Sequence, residues 1–396
     1  MASVCFYFQL HQPYRLRRYS VFDTGTNYFD EHRNRQILDR IAHKCYQPTT
    51  QIILDLVRKH EGKFRVAYSL TGCILEQLRD HHPAVLKIFQ DLAATGCVEF
   101  LNETYHHSLA FLYSRDEFKA QITLHAKLVQ ELFGQTPKVF RNTELIYNNE
   151  LASYISSLGG YDGVISEGAD HVLGKQSPDL LYRPPNNQKM KLLLKNYRLS
   201  DDIAFRFSNR SWAGWPLTAD KFAKSIDSIN ATGKMCNLFM DYETFGEHQW
   251  VETGIFEFLK ALPDEILKVN PGANDFLTPS ECLKKYEPVA EYDVPHMISW
   301  ADTERDLSAW LGNAMQSNAL HEMYKLETAV KAADDAILLR DWRRLSTSDH
   351  YYYMCTKYFA DGDVHKYFNP YESPYDSYIN FMNVMDNLKT RSEAKE

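Results

Sequence analysis

Short apolar runs alternate with amphipathic stretches of helical period over about the first 285 residues, and this alternation limits the architecture more than any other feature. Residues 4–10, 64–70, 96–101, 138–143, 161–166, 190–195 and 235–240 read as buried strands. Each is too short for a helix of ordinary length and is bounded by polar or turn-forming residues. Between them lie helical stretches such as 74–94 and 114–133, the latter with Ser114 at the N-cap and Glu117 three residues on, the spacing of a capping box. Roughly seven β-α units of this kind predict a parallel barrel or a doubly wound sheet. From about residue 301 the strand patterns stop, and stretches such as 309–315 and 326–339 predict a helical C-terminal region. The tail at 392–396 is expected to fray.

A hydrophobic content of 44% fills a sizeable core, and the 25 Tyr, 22 Phe and 6 Trp exceed ordinary packing needs. Tyr and Trp join an apolar face to a polar edge, which suits stacking on sugar rings as well as packing. A net charge of -8 argues against a nucleic-acid partner, which requires a basic surface. The seven cysteines, at 5, 45, 73, 97, 236, 282 and 355, are scattered without a CxxC pair, which predicts reduced thiols and a cytoplasmic location. No apolar run approaches the ~20 residues of a membrane span, and no signal-like segment opens the chain.

Polar clusters recur where the predicted strands end: His11-Gln12, the stretch from Glu99 to His107, Glu144, and Asp241 with Glu243 and Glu247. Any one of them alone reads more readily as a cap or a satisfied core group. Together on one rim they predict an active site. Glu144 and Asp241 end well-separated strands, so they form a candidate nucleophile and general acid, a pair that lies roughly 5 Å apart in retaining glycosidases. A divalent metal held by Glu103, His106, His107 and Asp241 is the rival. Adjacent histidines on a strand point to opposite faces, and a second histidine four beyond His107 is absent, since Phe111 stands there. The residues therefore predict neither metal nor cofactor.

Five segments, in order, resemble the five short conserved regions of family 57 glycoside hydrolases. They are His11-Gln12-Pro13, Gly96-Cys97-Val98-Glu99, Arg141-Asn142-Thr143-Glu144, Asp241-Tyr242-Glu243-Thr244-Phe245-Gly246, and Arg305-Asp306-Leu307-Ser308-Ala309-Trp310. Cys97 departs from the glutamine common in the second region. The resemblance implies an α/β fold, an incomplete parallel (β/α)7 barrel over 1–290, followed by a C-terminal α-helical domain over 291–396 that contributes to the substrate cleft. It implies retaining chemistry on an α-glucan or maltooligosaccharide, with Glu144 as nucleophile and Asp241 as acid/base. His11 and Glu99 would then bind sugar hydroxyls, and Asp306 and Trp310 would line the cleft.

His106 is added as a substrate-binding candidate, and Trp212, Trp215 and Trp250 as stacking platforms. Glu243 is expected to buttress its strand and Glu247 to be a loop carboxylate. Chain size and the signature at 299–306 look most like the α-amylase group. A 4-α-glucanotransferase or branching enzyme shares the mechanism, and a non-catalytic glucan-binding protein is the alternative from another class. The oligomeric state is not encoded in any residue pattern recognised here.

Overall fold

The computed structural model describes residues 2–357 and 368–393. Its strands are β1 (Ala2–Leu10), β2 (Val66–Leu70), β3 (Val98–Phe100), β4 (Val139–Arg141), β5 (Gly163–Glu167), β6 (Tyr182–Arg183), β7 (Lys191–Lys195), β8 (Met235–Asp241), β9 (Asn274–Phe276) and β10 (Ala290–Glu291). They form two five-stranded sheets. The first runs β3-β2-β1-β8 with β9 also against β1, and every pairing is parallel. The second runs β10-β6-β7-β5-β4 and is parallel except between β6 and β7.

Hydrogen bonds join the sheets on both sides. The Asn102 amide donates to Val139 O at 3.0 Å and the Arg141 amide to Asn102 O at 2.8 Å. Opposite, the Asn196 amide donates to Asn237 O at 2.9 Å, and Asn237 Nδ2 donates to Leu194 O at 2.8 Å. Parallel strands are covered on both faces, so their sequences read as nearly continuous apolar runs. The two faces still differ. Val4, Phe6 and Phe8 pack outward with helix residues such as Ile53 and Phe89, whereas Cys5 and Tyr7 share an inner core with Val139, Ile165, Leu193 and Phe239.

Helices Ser308–Leu311, Ala314–Lys325, Glu327–Ala332, Ala336–Leu345, Ser348–Tyr352 and Pro374–Glu393 make up the C-terminal region. Trp310, Trp342, Phe381 and Leu388 pack there with Tyr14, Tyr19 and Tyr28 from the segment after β1. The Asn380 side chain accepts from the Tyr19 amide at 2.6 Å. The expected mixed α/β architecture with parallel sheets and a helical C-terminal region is thus observed. No helix among the described residues is long and apolar enough to cross a membrane.

Local expectations fare unevenly. Ser114 Oγ accepts from the Glu117 amide at 3.1 Å, as its spacing predicts. The single helix expected over 74–94 is two, Gly72–His81 and Pro83–Ala94. Proline has no amide hydrogen to continue the first helix, yet it is well tolerated at the start of the second. The stretch 326–339 breaks at Asp334, whose φ is 48°, and Asp335 Oδ1 caps the next helix by accepting from the Ile337 amide at 2.8 Å. Strands β6, β9 and β10 are too short to show a period and were not expected. The tail beyond 393 lies outside the described residues.

Candidate active site

The strands place polar groups on one rim by simple alternation. On successive strands an inward apolar residue is followed two positions later by a polar one: Tyr7 by Gln9, Ala67 by Ser69, Val139 by Arg141, Ile165 by Glu167, Leu193 by Lys195 and Phe239 by Asp241. Leu101 and Glu103 repeat the step just beyond β3. Since i and i+2 share a face, the polar members all project inward at the C-terminal ends of the strands.

Glu103 is the hub of this rim and is fully buried. Its carboxylate accepts from Ser69 Oγ and from Gln9 Nε2 at 3.3 Å, and it lies 3.5 Å from Arg141 Nη1 and 3.4 Å from His107 Nδ1. Burial opposes its ionisation, but the His107 hydrogen bond and the charges of Arg141 and His107 prevail and lower its pKa to about 2.

Glu144 follows β4 on a tight turn, Thr143–Leu145, in which it adopts the left-handed conformation with φ 56°. Its Oε1 lies 2.8 Å from His107 Nε2, and its Oε2 accepts from Trp300 Nε1 at 2.7 Å. His107 also has a left-handed backbone, φ 53°. Two mutually bonded side chains on unfavourable backbone is a pattern typical of functional sites. The Glu144 carboxyl is 23% exposed, enough to meet a ligand. Burial pushes its pKa up, but the His107 and Trp300 hydrogen bonds and the nearby positive charges outweigh this and bring it below the usual carboxylate value. His107 shows the reciprocal effect: burial alone would lower its pKa, yet the hydrogen bonds to Glu103 and Glu144 raise it to about 9. At neutral pH it is an imidazolium clamped between two carboxylates.

Asp241 ends β8, beside Gln9 in register. It is open to water on one side while protein crowds the others. Water at one edge does not restore a bulk dielectric, so confinement, with the negative charge of Glu144 added, raises its pKa to about 6 against the pull of Arg141, Lys195 and His107. Two carboxyls in one cleft are therefore driven apart in acidity, one kept ionised and the other able to hold a proton.

Trp300 is flanked by two cations, Arg141 at 5.2 Å and Lys195 at 5.1 Å from its ring centre. The loop that carries it is fixed by Arg305, which donates to Trp300 O at 2.6 Å and lies 3.6 Å from the buried Glu167. Glu243 turns away from Asp241 into the protein, where its carboxyl accepts from Tyr46 Oη and from Gln12 Nε2 at 3.4 Å. Burial and the Asp241 charge raise its pKa to about 8. Gly246 closes this turn at φ 106°, and a Cβ there would stand 2.1 Å from Lys44 O, so only glycine fits.

Of the residues expected from sequence, Glu144, Asp241 and His11 come together. His11 stacks on His107 with ring centres 4.2 Å apart. Both of its nitrogens are already engaged, Nδ1 with Thr71 Oγ1 and Nε2 with Asp349 Oδ2, each at 2.9 Å, which leaves none free for a sugar hydroxyl. Glu99 does not reach the cluster; its carboxylate accepts from the Ser280 amide at 2.8 Å and from Ser280 Oγ, capping the helix Pro279–Lys285. Glu103, four residues on, joins the cluster instead, as a fully buried partner of His107 and Arg141. His106 points into packing, 3.4 Å from Cys73 Sγ, and burial with the Arg343 and Arg344 charges pushes its pKa well down. Its neighbour His107 faces the cleft instead.

Trp310 is a buried core residue against Tyr352, whereas Asp306 is exposed and accepts from the Ser308 amide at 2.8 Å. Trp212, Trp215 and Trp250 carry ring contacts to Arg206, Arg210 and Lys44, apart from the hydrogen-bonded cluster; Trp250 is 57% exposed. Glu247 is no simple loop carboxylate, being buried and 2.9 Å from Arg40. Sequence reasoning passed over Arg141, Glu167 and Lys195 as site residues, although the two-residue step from each inner apolar position points to them.

Comparison with known proteins identifies the family. The model of Glycosyl hydrolase family 57 matches residues 5–295. A Methanocaldococcus jannaschii protein named "Putative alpha-amylase" is 43% identical over 397 residues, covering 96% of this chain and 83% of that protein. Among solved structures, a GH57-type branching enzyme from Pyrococcus horikoshii superposes with a TM-score of 0.67 at 16% identity, over 89% of this chain and 85% of that one. A 4-alpha-glucanotransferase from Thermococcus litoralis gives 0.65 at 16% identity over 88% of this chain, which spans only 56% of that enzyme. These two likenesses concern the fold. The family match over residues 5–295 and the relative at 43% identity establish that this chain belongs to glycosyl hydrolase family 57.

Proposed function

We propose that the protein cleaves α-1,4-glucosidic bonds in α-glucans by double displacement, as an α-amylase-type hydrolase. The observation that carries this reading is the divergence of the two carboxyls. Glu144 is held ionised by the donors His107 and Trp300, while Asp241 has a pKa raised to about 6. The Glu144 carboxylate attacks the anomeric carbon as Asp241 transfers its proton to the departing glycosidic oxygen. Asp241, now a base, then takes a proton from water, and the hydroxide formed breaks the glycosyl ester and frees Glu144. Arg141 places positive charge beside both carboxyls, and Lys195 beside Asp241.

The two joined sheets are read as one incomplete (β/α)7 barrel, with the catalytic domain over 1–290 and the helical domain over 291–396. Seven free buried cysteines suit a reducing cytoplasm. Glucanosyl transfer by the same steps is the second reading, favoured by the fold shared with a branching enzyme and a glucanotransferase. Product analysis on maltoheptaose separates them. Hydrolysis gives only shorter oligosaccharides, whereas products longer than the input would contradict it.

A further inference from the structure

His11 and Asp349 meet across the molecule, one at the end of β1 and the other on the helix Ser348–Tyr352. Asp349 Oδ2 lies 2.9 Å from His11 Nε2 and also accepts from Thr347 Oγ1 at 3.1 Å. With Thr71 on the other nitrogen, the His11 ring is fixed in plane, and its centre lies 4.2 Å from that of His107 at an interplanar angle of 20°. His107 in turn holds Glu144.

We propose that Asp349 is a positioning residue for Glu144, acting through the fixed His11 ring, against which His107 rests. The inference builds on the assignment of Glu144 above. Asp349 lies beyond the 5–295 that match the family model, so the barrel's nucleophile is oriented from the C-terminal helices. The stack couples charge as well as shape. Burial and the charge of His107 hold His11 below its ordinary pKa, so a neutral ring faces a charged one. Burial opposes ionisation of Asp349, but its close contact and hydrogen bond with His11 and the charges of His107 and Arg15 keep it far below the carboxylate range. The groups facing His107 are Glu103, Glu144, Arg141 and His11, with Asp349 behind His11. Replacing Asp349 with a neutral amide therefore removes one negative charge from behind an imidazolium and frees His11 to turn.

The test uses the full chain with Asp349→Asn and Asp349→Glu, read in two ways. Ring 15N chemical shifts of His107 are followed with pH in the absence of any glucan. In Asp349→Asn, His107 should lose its proton at lower pH than in the wild type, by roughly 0.5 unit or more. On maltoheptaose, kcat should fall about tenfold or more with KM within about twofold, and Asp349→Glu should recover part of it. If Asp349→Asn stays folded by circular dichroism with the His107 titration and kcat unchanged, the proposal fails. A loss of melting temperature alone, without movement of the His107 titration, also overturns it. If the wild type turns over no glucan, the functional reading fails, and the substrate-free titration still decides the role of Asp349.

Discussion

His107 and Glu144, 2.8 Å apart and both on left-handed backbone, form the central contact of the cleft. Strain at two linked residues persists only where the surroundings dictate it. Here the surroundings are Glu103 on the other His107 nitrogen and Trp300 on the other Glu144 oxygen. The contact orients the Glu144 carboxylate and favours its ionised form, the two requirements of the nucleophile proposed above.

Removing the donor should expose both roles. His107→Ala is expected to lower kcat by roughly 10²–10³, the usual loss for a preorganised donor at a reacting group. Without the imidazolium, the pKa of Glu144 rises and the acid limb of the rate profile moves to higher pH. Initial rates on maltoheptaose across pH provide the check. An unchanged acid limb would count against the contact.

The pH profile of kcat/KM follows from the two carboxyls. On the proposed mechanism, activity requires Glu144 ionised and Asp241 protonated. The acid limb therefore lies below the usual carboxylate value of about 4.3, and the alkaline limb falls near pH 6. Asp241→Asn abolishes the alkaline limb along with most of the rate on natural glucans. With a leaving group that needs no proton, such as fluoride, formation of the glycosyl ester should be spared, giving a burst of fluoride followed by slow turnover.

Trp300 donates to Glu144 through its indole nitrogen and also spaces Arg141 from Lys195. Trp300→Phe retains most of the ring but loses the donor. Its kcat should drop by about tenfold, the order expected for one charge-assisted hydrogen bond, with a smaller change in KM. A change confined to KM would mark Trp300 as a binding residue only.

Stability should depend on pH through the Glu103–His107 pair. Glu103 has a folded pKa near 2, below its unfolded value, so its contribution is present above the unfolded value and is lost as pH falls toward 2. His107 is shifted up to about 9, so its contribution is complete below its unfolded value and is lost as pH rises through 9. Melting temperatures of Glu103→Gln against the wild type should differ most near neutrality and converge at low pH.

Much of the fold was legible because the strands are covered on both faces and read as apolar runs, and because Glu144 and Asp241 sit just where β4 and β8 run out. The errors share one physical origin, side-chain direction. Glu99 and Glu103 lie on the same short stretch, as do His106 and His107, and a motif cannot say which member of each pair faces the cleft. Counting in twos from Leu101 reaches Glu103, and from Val139 it reaches Arg141. Trp300 was read as part of a group signature, since its hydrogen bond to Glu144 spans the chain from residue 144 to residue 300. Trp310 had aromatic character but is enclosed by packing, and the exposed Asp306 spends its carboxylate on the Ser308 amide and hydroxyl.

The account rests on Glu144 as the nucleophile with Asp241 as the acid/base, and azide rescue with a maltooligosyl α-fluoride tests this directly. In Glu144→Ala, azide replaces the missing carboxylate and attacks once, so the β-glycosyl azide is predicted. In Asp241→Ala, azide attacks the glycosyl ester already formed on Glu144, so the α-glycosyl azide is predicted. Nuclear magnetic resonance of the anomeric proton distinguishes the two products, and the α-azide from Glu144→Ala with the β-azide from Asp241→Ala would contradict the assignment.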